Sequence, residues 1–289
     1  MRLEFLIIDP QNDFSDTPGA ALPVPGASTD AVRLAALLER LGERIDAIHV
    51  TLDTHQLVDI SHPVFWCDVA GQPPPPFTQI DVAAVENGLW RARQPQHQQR
   101  VLDYVRALRD NGRYTLTIWP PHCLVGTWGH NVIPVVAAAL RHWEEQGLKR
   151  VNYVIKGHNP WTEHYSALQA DVPDPADPGT QLNLDLLETL QQADLVALSG
   201  QALSHCVANT VHDIAAQVGP EQLHKLVLIE DTTSPVAGFE ALRDFDLASF
   251  VRPDVWSVAI LEWLVLASVL GWVVCVAGVL ARKDSRQAR

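Results

Sequence analysis

The sequence predicts an α/β protein, three layers deep in α/β/α order, around a mostly parallel central sheet. Three observations carry that expectation. Strand-length apolar runs rich in Val, Ile and Leu recur along the chain. Amphipathic stretches of helical period separate them. The runs are continuous rather than alternating, which is the pattern of strands covered on both faces.

Taken in order, "LEFLIID" (3–9) reads as the first strand, and "STDAVRLAALLERLGER" as the helix that follows. "IDAIHVTLD" (45–53) is the second strand. The helical "HQQRVLDYVRALRDNG", the strand-like "YTLTIWP" and the helical "IPVVAAALRHWEEQG" come next. "VNYVIKG" (151–157) is again a strand, followed by "LNLDLLETLQQA", "DLVALSG", "VANTVHDIAAQVG" and "KLVLIED". Two stretches interrupt this alternation. Residues 56–80 include the stiff "GQPPPPF", a surface edge or the rim of a pocket. Residues 169–181 lack periodicity and read as an ordered loop or lid. One domain covers residues 1–250, with no internal repeat.

The bulk numbers narrow the function. At 289 residues and 47% hydrophobic composition, the chain can bury a large core. A net charge of −13 with no basic patch argues against nucleic-acid binding. The four cysteines (Cys67, Cys123, Cys206, Cys275) are far apart, without a CxxC pair. With a chain that opens directly on a strand and shows no leader, that pattern fits a reducing, cytoplasmic setting and individually used thiols.

Ligands of open parallel sheets sit at the carboxyl ends of the strands. Five segments deliver chemistry there: Asp9 ends strand one, Asp53 and His55 end strand two, and His122 follows "YTLTIWPP". Lys156 ends "VNYVIK", and Cys206 follows "DLVALSG". A free thiol is only a few per cent thiolate at neutral pH. A nearby carboxylate can take its proton, and an ammonium can stabilise the resulting anion. A helix N-terminus behind Cys206 adds its dipole. The backbone N–H groups of the same turn, that of Cys206 included, offer an oxyanion hole. Asp9, Lys156 and Cys206 are thus equipment for acyl transfer from an amide. Asp53, His55 and His122 form a second set. Oxygen and imidazole ligands with open positions suit Zn²⁺, Fe²⁺ or Mn²⁺, with His62 of "DISHP" a candidate fourth ligand.

At these residues the chain resembles the nicotinamidase branch of the isochorismatase-like cysteine hydrolases. The likeness rests on "LIIDPQNDF" (6–14), "TLDTH" (51–55), "WPPHCLVGTWG" (119–129), "IKGHNPWTEHYSAL" (155–168) and "SGQALSHCVANTVHDIA" (199–215), in family order. It implies that Asp9, Lys156 and Cys206 form the catalytic triad, and that Asp53, His55 and His122 hold a divalent metal, zinc foremost. It further implies a non-proline cis peptide at Gln201–Ala202, which sets the Ala202 N–H beside that of Cys206. Phe14 and Trp119 match the family's ring-sandwiching residues. The activity implied is hydrolysis of nicotinamide, or of a similar small heteroaromatic carboxamide, to acid and ammonia through a Cys206 thioester. Hydrolysis of another small amide or carbamoyl compound remains an alternative, as does a catalytically silent binding protein. Family members often self-associate. Gln201 and Leu203–Ser204 depart from the residues many members carry, and the two long inserts bear on the substrate pocket.

The tail stands apart. Residues 255–289 do not resemble the family, and "WLVLASVLGWVVCVAGVL" (263–280) runs 18 residues without a charge before a basic end. As a helix it spans roughly 27 Å. Together with the flanking Trp263 it reads as a C-terminal apolar helix, a candidate membrane anchor over 258–280. A buried C-terminal helix is the other reading. The basic end and a leaderless domain both prefer the cytoplasmic side, which a single span cannot satisfy.

Overall fold

The computed structural model describes residues 1–112, 114–239, 254–256 and 261. Six strands form one sheet: β1 (Leu3–Ile8), β2 (Ala47–Asp53), β7 (Asn152–Lys156), β8 (Leu195–Gly200), β9 (Leu226–Ile229) and β10 (Asp254–Trp256). Their order is β10-β9-β8-β1-β2-β7, and every pairing is parallel. The central strand β1 is buried along its whole length. Its side chains alternate between the two faces, as strand geometry requires. Leu3, Phe5 and Ile7 join a core with α1 (Ala27–Leu41) and α4 (Pro134–Gly147). Leu6 and Ile8 join another with α5 (Leu184–Gln192) and α6 (Ala208–Gln217). That is the expected three-layer arrangement.

The segment "YTLTIWP" departs from expectation. Only Leu116–Thr117 (β6) is extended, and it pairs antiparallel with Gln79–Ile80 (β4), outside the main sheet. Leu116 and Ile118 face a third core of their own, and Pro120–Pro121 cannot donate to a longer ladder. That third core also takes in the 56–80 insert. Ile60, Phe65, Trp66 and Ile80 pack there against α2 (Val82–Glu86) and α3 (Gln98–Asn111). A second ribbon, Trp66–Cys67 (β3) with Arg91–Ala92 (β5), closes it. The insert therefore contributes to the core at both of its ends, while the "GQPPPPF" stretch between them is largely exposed, a surface edge as expected. The 169–181 segment is an ordered loop: Ala170 N–H donates to Thr180 O and Asp171 N–H to Glu163 O.

The apolar stretch 263–280, with the expected C-terminal helix and anchor, lies outside the described residues. Among those described, no helix is long and apolar enough to cross a membrane.

Candidate active site

Strand register assembles the centre. In the β2–β7 pair Asp53 stands opposite Lys156, and in the β1–β8 pair Ile8 stands opposite Gly200. Asp9, one step past β1, takes a left-handed turn (φ 45°) that carries its side chain off the strand line. Its N–H donates to Thr51 Oγ1, and the Thr51 hydroxyl donates back to Asp9 Oδ1. Two glycines allow the close approach. At Gly157 (φ 78°) a Cβ would fall 2.6 Å from Asp53 Oδ1. At Gly200 (φ 112°) it would run into the Ile8 carbonyl oxygen.

Lys156 is the hub, fully buried. Its ammonium donates to Asp53 Oδ1 (3.0 Å) and to the His164 carbonyl (3.0 Å), and lies 3.6 Å from Cys206 Sγ. Asp9 Oδ2 is 2.8 Å from the same nitrogen, a contact of charge rather than a directed hydrogen bond. That oxygen, paired with the ammonium, is also within reach of the Cys206 thiol. Burial would lower the Lys156 pKa, but Asp53 and Asp9 hold it well above the usual ammonium range. Burial raises the Asp9 carboxyl, with Lys156 opposing. Burial also pushes the Cys206 thiol well up, with Lys156 working against it. Asp53, by contrast, is held well below the carboxylate range: burial would raise it, but His55 and Lys156 prevail.

Cys206 sits in a single π-helical turn, Leu203–Val207, that runs directly into α6. The peptide Gln201–Ala202 ahead of it is cis, as the resemblance implies. Ala202 is buried in the same core as Cys206, Phe14 and Trp119.

Beside this hub, one ligand atom each from Asp53, His55 and His122 lies within 4.8 Å of the others. The second ring nitrogen of each histidine is already engaged. His55 Nδ1 is 3.0 Å from Asp59 Oδ2, and His122 Nδ1 is 2.9 Å from the Pro120 carbonyl. His55 Nε2 and His122 Nε2 converge on Asp53 Oδ2 at 3.1 and 3.3 Å. His62 joins the group. Its ring centroid is 5.1 Å from that of His55 and 5.7 Å from that of His122. Its Nδ1 bonds the Leu57 carbonyl, while Nε2 is buried without a partner. Burial, with the neighbouring histidines, lowers His62 to about 4, so the ring is neutral near pH 7 and keeps a lone pair to offer. Three imidazoles pinned at Nδ1, with a carboxylate between two of them, fit a divalent metal of the Zn²⁺, Fe²⁺ or Mn²⁺ kind.

Phe14 meets the His122 ring edge-on at 5.4 Å, on the imidazole side. Trp119 lies on the nucleophile side, 5.0 Å from the His205 ring, and its Nε1–H donates to Tyr165 Oη. Several supporting residues escaped the sequence reading. Gln11 clamps the end of β2, donating to the Asp53 carbonyl and accepting from the Asp53 N–H. Asp13 accepts from Cys123 N–H and so steadies the loop that carries His122. Thr51 orients Asp9, and Asp59 orients His55. The signal for the first two was present in "DPQNDF", where polar residues follow a buried strand without a turn-forming glycine.

Neither protein-family models nor curated proteins match the chain. Solved structures do. A nicotinamidase/pyrazinamidase from Acinetobacter baumanii aligns with 21% identity and a TM-score of 0.61, over 90% of this chain and 98% of that one. An isochorismatase-like hydrolase from Alkaliphilus metalliredigens aligns with 20% identity and a TM-score of 0.52, over 91% and 100%. The pyrazinamidase of Pyrococcus horikoshii in complex with zinc aligns with 18% identity and a TM-score of 0.50, over 89% and 99%. The chain has the three-layer fold of the nicotinamidases, pyrazinamidases and isochorismatase-like hydrolases.

Proposed function

We propose that the chain is a cysteine amidohydrolase that converts nicotinamide, or a similar small heteroaromatic carboxamide, to the acid and ammonia. The observation that carries this reading is the meeting of three buried groups: Lys156 Nζ lies 2.8 Å from Asp9 Oδ2 and 3.6 Å from Cys206 Sγ. Asp9 Oδ2 takes the thiol proton, and Lys156 stabilises the thiolate as it forms. Sulfur attacks the amide carbon. The N–H groups of Ala202 and Cys206 receive the developing oxyanion. As the tetrahedral adduct collapses, Asp9 returns the proton to the leaving nitrogen and ammonia departs. A water, deprotonated by Asp9, then attacks the thioester and releases the acid, and the proton returns to sulfur.

Asp53, His55 and His122, with His62 beside them, would hold the divalent metal. When bound it supplies a Lewis-acid contact for a lone pair on the substrate ring. Zinc is favoured by the donor set, and the similar Pyrococcus horikoshii pyrazinamidase is in complex with zinc. Phe14 and Trp119 flank the space between metal side and thiol side, as walls for a flat ring.

The test is ammonia release from nicotinamide by the purified full chain, beside Cys206→Ala and a chelator-treated sample. Release that needs both thiol and metal supports the reading. Release that survives Cys206→Ala overturns it. A metal-loaded, folded chain that acts only on other carboxamides moves the substrate and leaves the cysteine chemistry standing.

A further inference from the structure

We infer that Asp30 is a positioning residue, holding the turn that carries the oxyanion donor and the nucleophile although it touches neither. This rests on the reading of Cys206 as nucleophile and goes beyond it. Asp30 lies in the first turn of α1, its side chain 6% exposed. Its Oδ2 accepts two hydrogen bonds, from Gln201 Nε2 at 3.0 Å and from Ser234 Oγ at 2.6 Å. These partners are 171 and 204 residues away in sequence, so the contact is tertiary. Gln201 contributes the carbonyl half of the peptide whose nitrogen is Ala202 N.

The rest of the network fixes the orientation. With Nε2 committed to Asp30, Gln201 Oε1 faces the Ser234 N–H at 3.3 Å. Ser234 in turn accepts from Leu203 N–H through its carbonyl, at 2.9 Å. Gln201 N–H is tied to the Ile8 carbonyl at 2.7 Å, one residue before Asp9. The turn is thus held on its inner side by β1 and on its outer side by α1 through a single carboxylate oxygen. A buried carboxylate is expensive unless its bonds are made. Burial raises the Asp30 pKa, against the bonds from Ser234 and Gln201. An alanine at position 30 removes the one oxygen that accepts both bonds. A methylene-only side chain at 201 removes the same link from the other end.

The experiment is a double-mutant cycle in the full chain: Asp30→Ala, Gln201→Leu and both together, with kcat and KM measured on nicotinamide. The expected result is a fall in kcat of about tenfold or more for each single variant, KM within about twofold, and a double variant no slower than the worse single. Unchanged kcat in the singles overturns the inference, as does a double variant whose loss is the product of the two. A lowered melting temperature with unchanged kcat marks a merely structural role and also overturns it. Should Asp30→Ala fail to fold, Ser234→Ala takes its place in the cycle, with the same expectations. If wild type releases no ammonia, the amidase reading fails by itself. The cycle is then read on the rate at which iodoacetamide alkylates Cys206. There, unchanged rates in the variants overturn the positioning role.

Discussion

Strands β1 and β2 carry buried polar groups at both ends, and the two clusters are built differently. Toward the amino-terminal end, Glu4 of β1 is completely buried. Its Oε1 accepts from Arg2 Nε at 2.7 Å and its Oε2 faces His49 Nε2 at 3.1 Å. His49 Nδ1 is met by Asn152 Nδ2 at 3.0 Å, so both oxygens of Glu4 and both ring nitrogens of His49 have their partners. At the carboxyl end, His62 Nε2 is buried without a partner, Asp9 Oδ2 is held by the Lys156 ammonium alone at 2.8 Å, and a thiol stands 3.6 Å from the same ammonium. Buried polar groups are ordinarily satisfied because an unmade bond costs about 1–3 kcal/mol. A saturated cluster spends its bonds on the fold. An unsaturated one keeps acceptors in reserve for substrate and metal. Burial alone would have ranked the two alike.

The sharpest way to break that comparison is at the thiol. Cys206→Ala is expected to lower amide hydrolysis about 10⁴-fold or more, with metal content unchanged, read by ammonia release and elemental analysis. One shell out, Asp59→Asn loosens His55 at Nδ1. Metal affinity should fall about 10–100-fold, measured by competition with a chromophoric chelator. At the saturated end the effects should be on stability only. His49→Leu leaves Glu4 Oε2 without a partner, and should cost about 1–3 kcal/mol in denaturant unfolding with kcat/KM within about twofold. A loss of catalysis there would erase the distinction drawn above.

The remaining effect is a pH dependence. Burial pushes the Glu163 carboxyl from an ordinary 4.5 up to about 8. A raised folded-state pKa favours the protonated native state, so its contribution is fully present below about 4.5 and is lost as pH rises through about 8. Glu163→Gln should melt with wild type near pH 4.5 and above it by pH 8, since Gln keeps an acceptor for the His164 N–H. Parallel melting curves across that range would mean that Glu163 is not buried as an acid.

Much of this was legible in the chain. Every main-sheet strand through β9 and the five long helices follow from periodicity to within a few residues, because runs such as Leu3–Ile8 are buried on both faces. The strand-end rule brought Asp9, Asp53, His55, Lys156 and Cys206 to one edge without coordinates. His122 reached the same edge for a different reason. Its segment is not a strand of the main sheet but a loop, held to His55 by the bridge between His55 and Leu124. The third core was hidden because the buried residues of 56–80 are spaced by prolines and turns, with no period to read. Asp30 was hidden because its partners are set by tertiary packing, and a polar residue early in a helix looks like an ordinary first-turn acid.

The order of strands in the sheet also sets a timetable for the nascent chain. β1 pairs with β2 nearby in sequence, but its other neighbour is β8, with Leu3 opposite Leu195. Once β7 has been synthesised, the chain holds Asp9, Asp53 and Lys156, yet it lacks the Cys206 thiol. Cys206 follows Lys156 by 50 residues, about 3–10 s later at usual elongation rates. Until then β1 lacks its partner on one side, and the long-range closure that completes the sheet is the slow kind of contact. A truncated translation product ending before β8 would therefore carry the carboxylates and imidazoles of the site without the thiol that makes them hydrolytic.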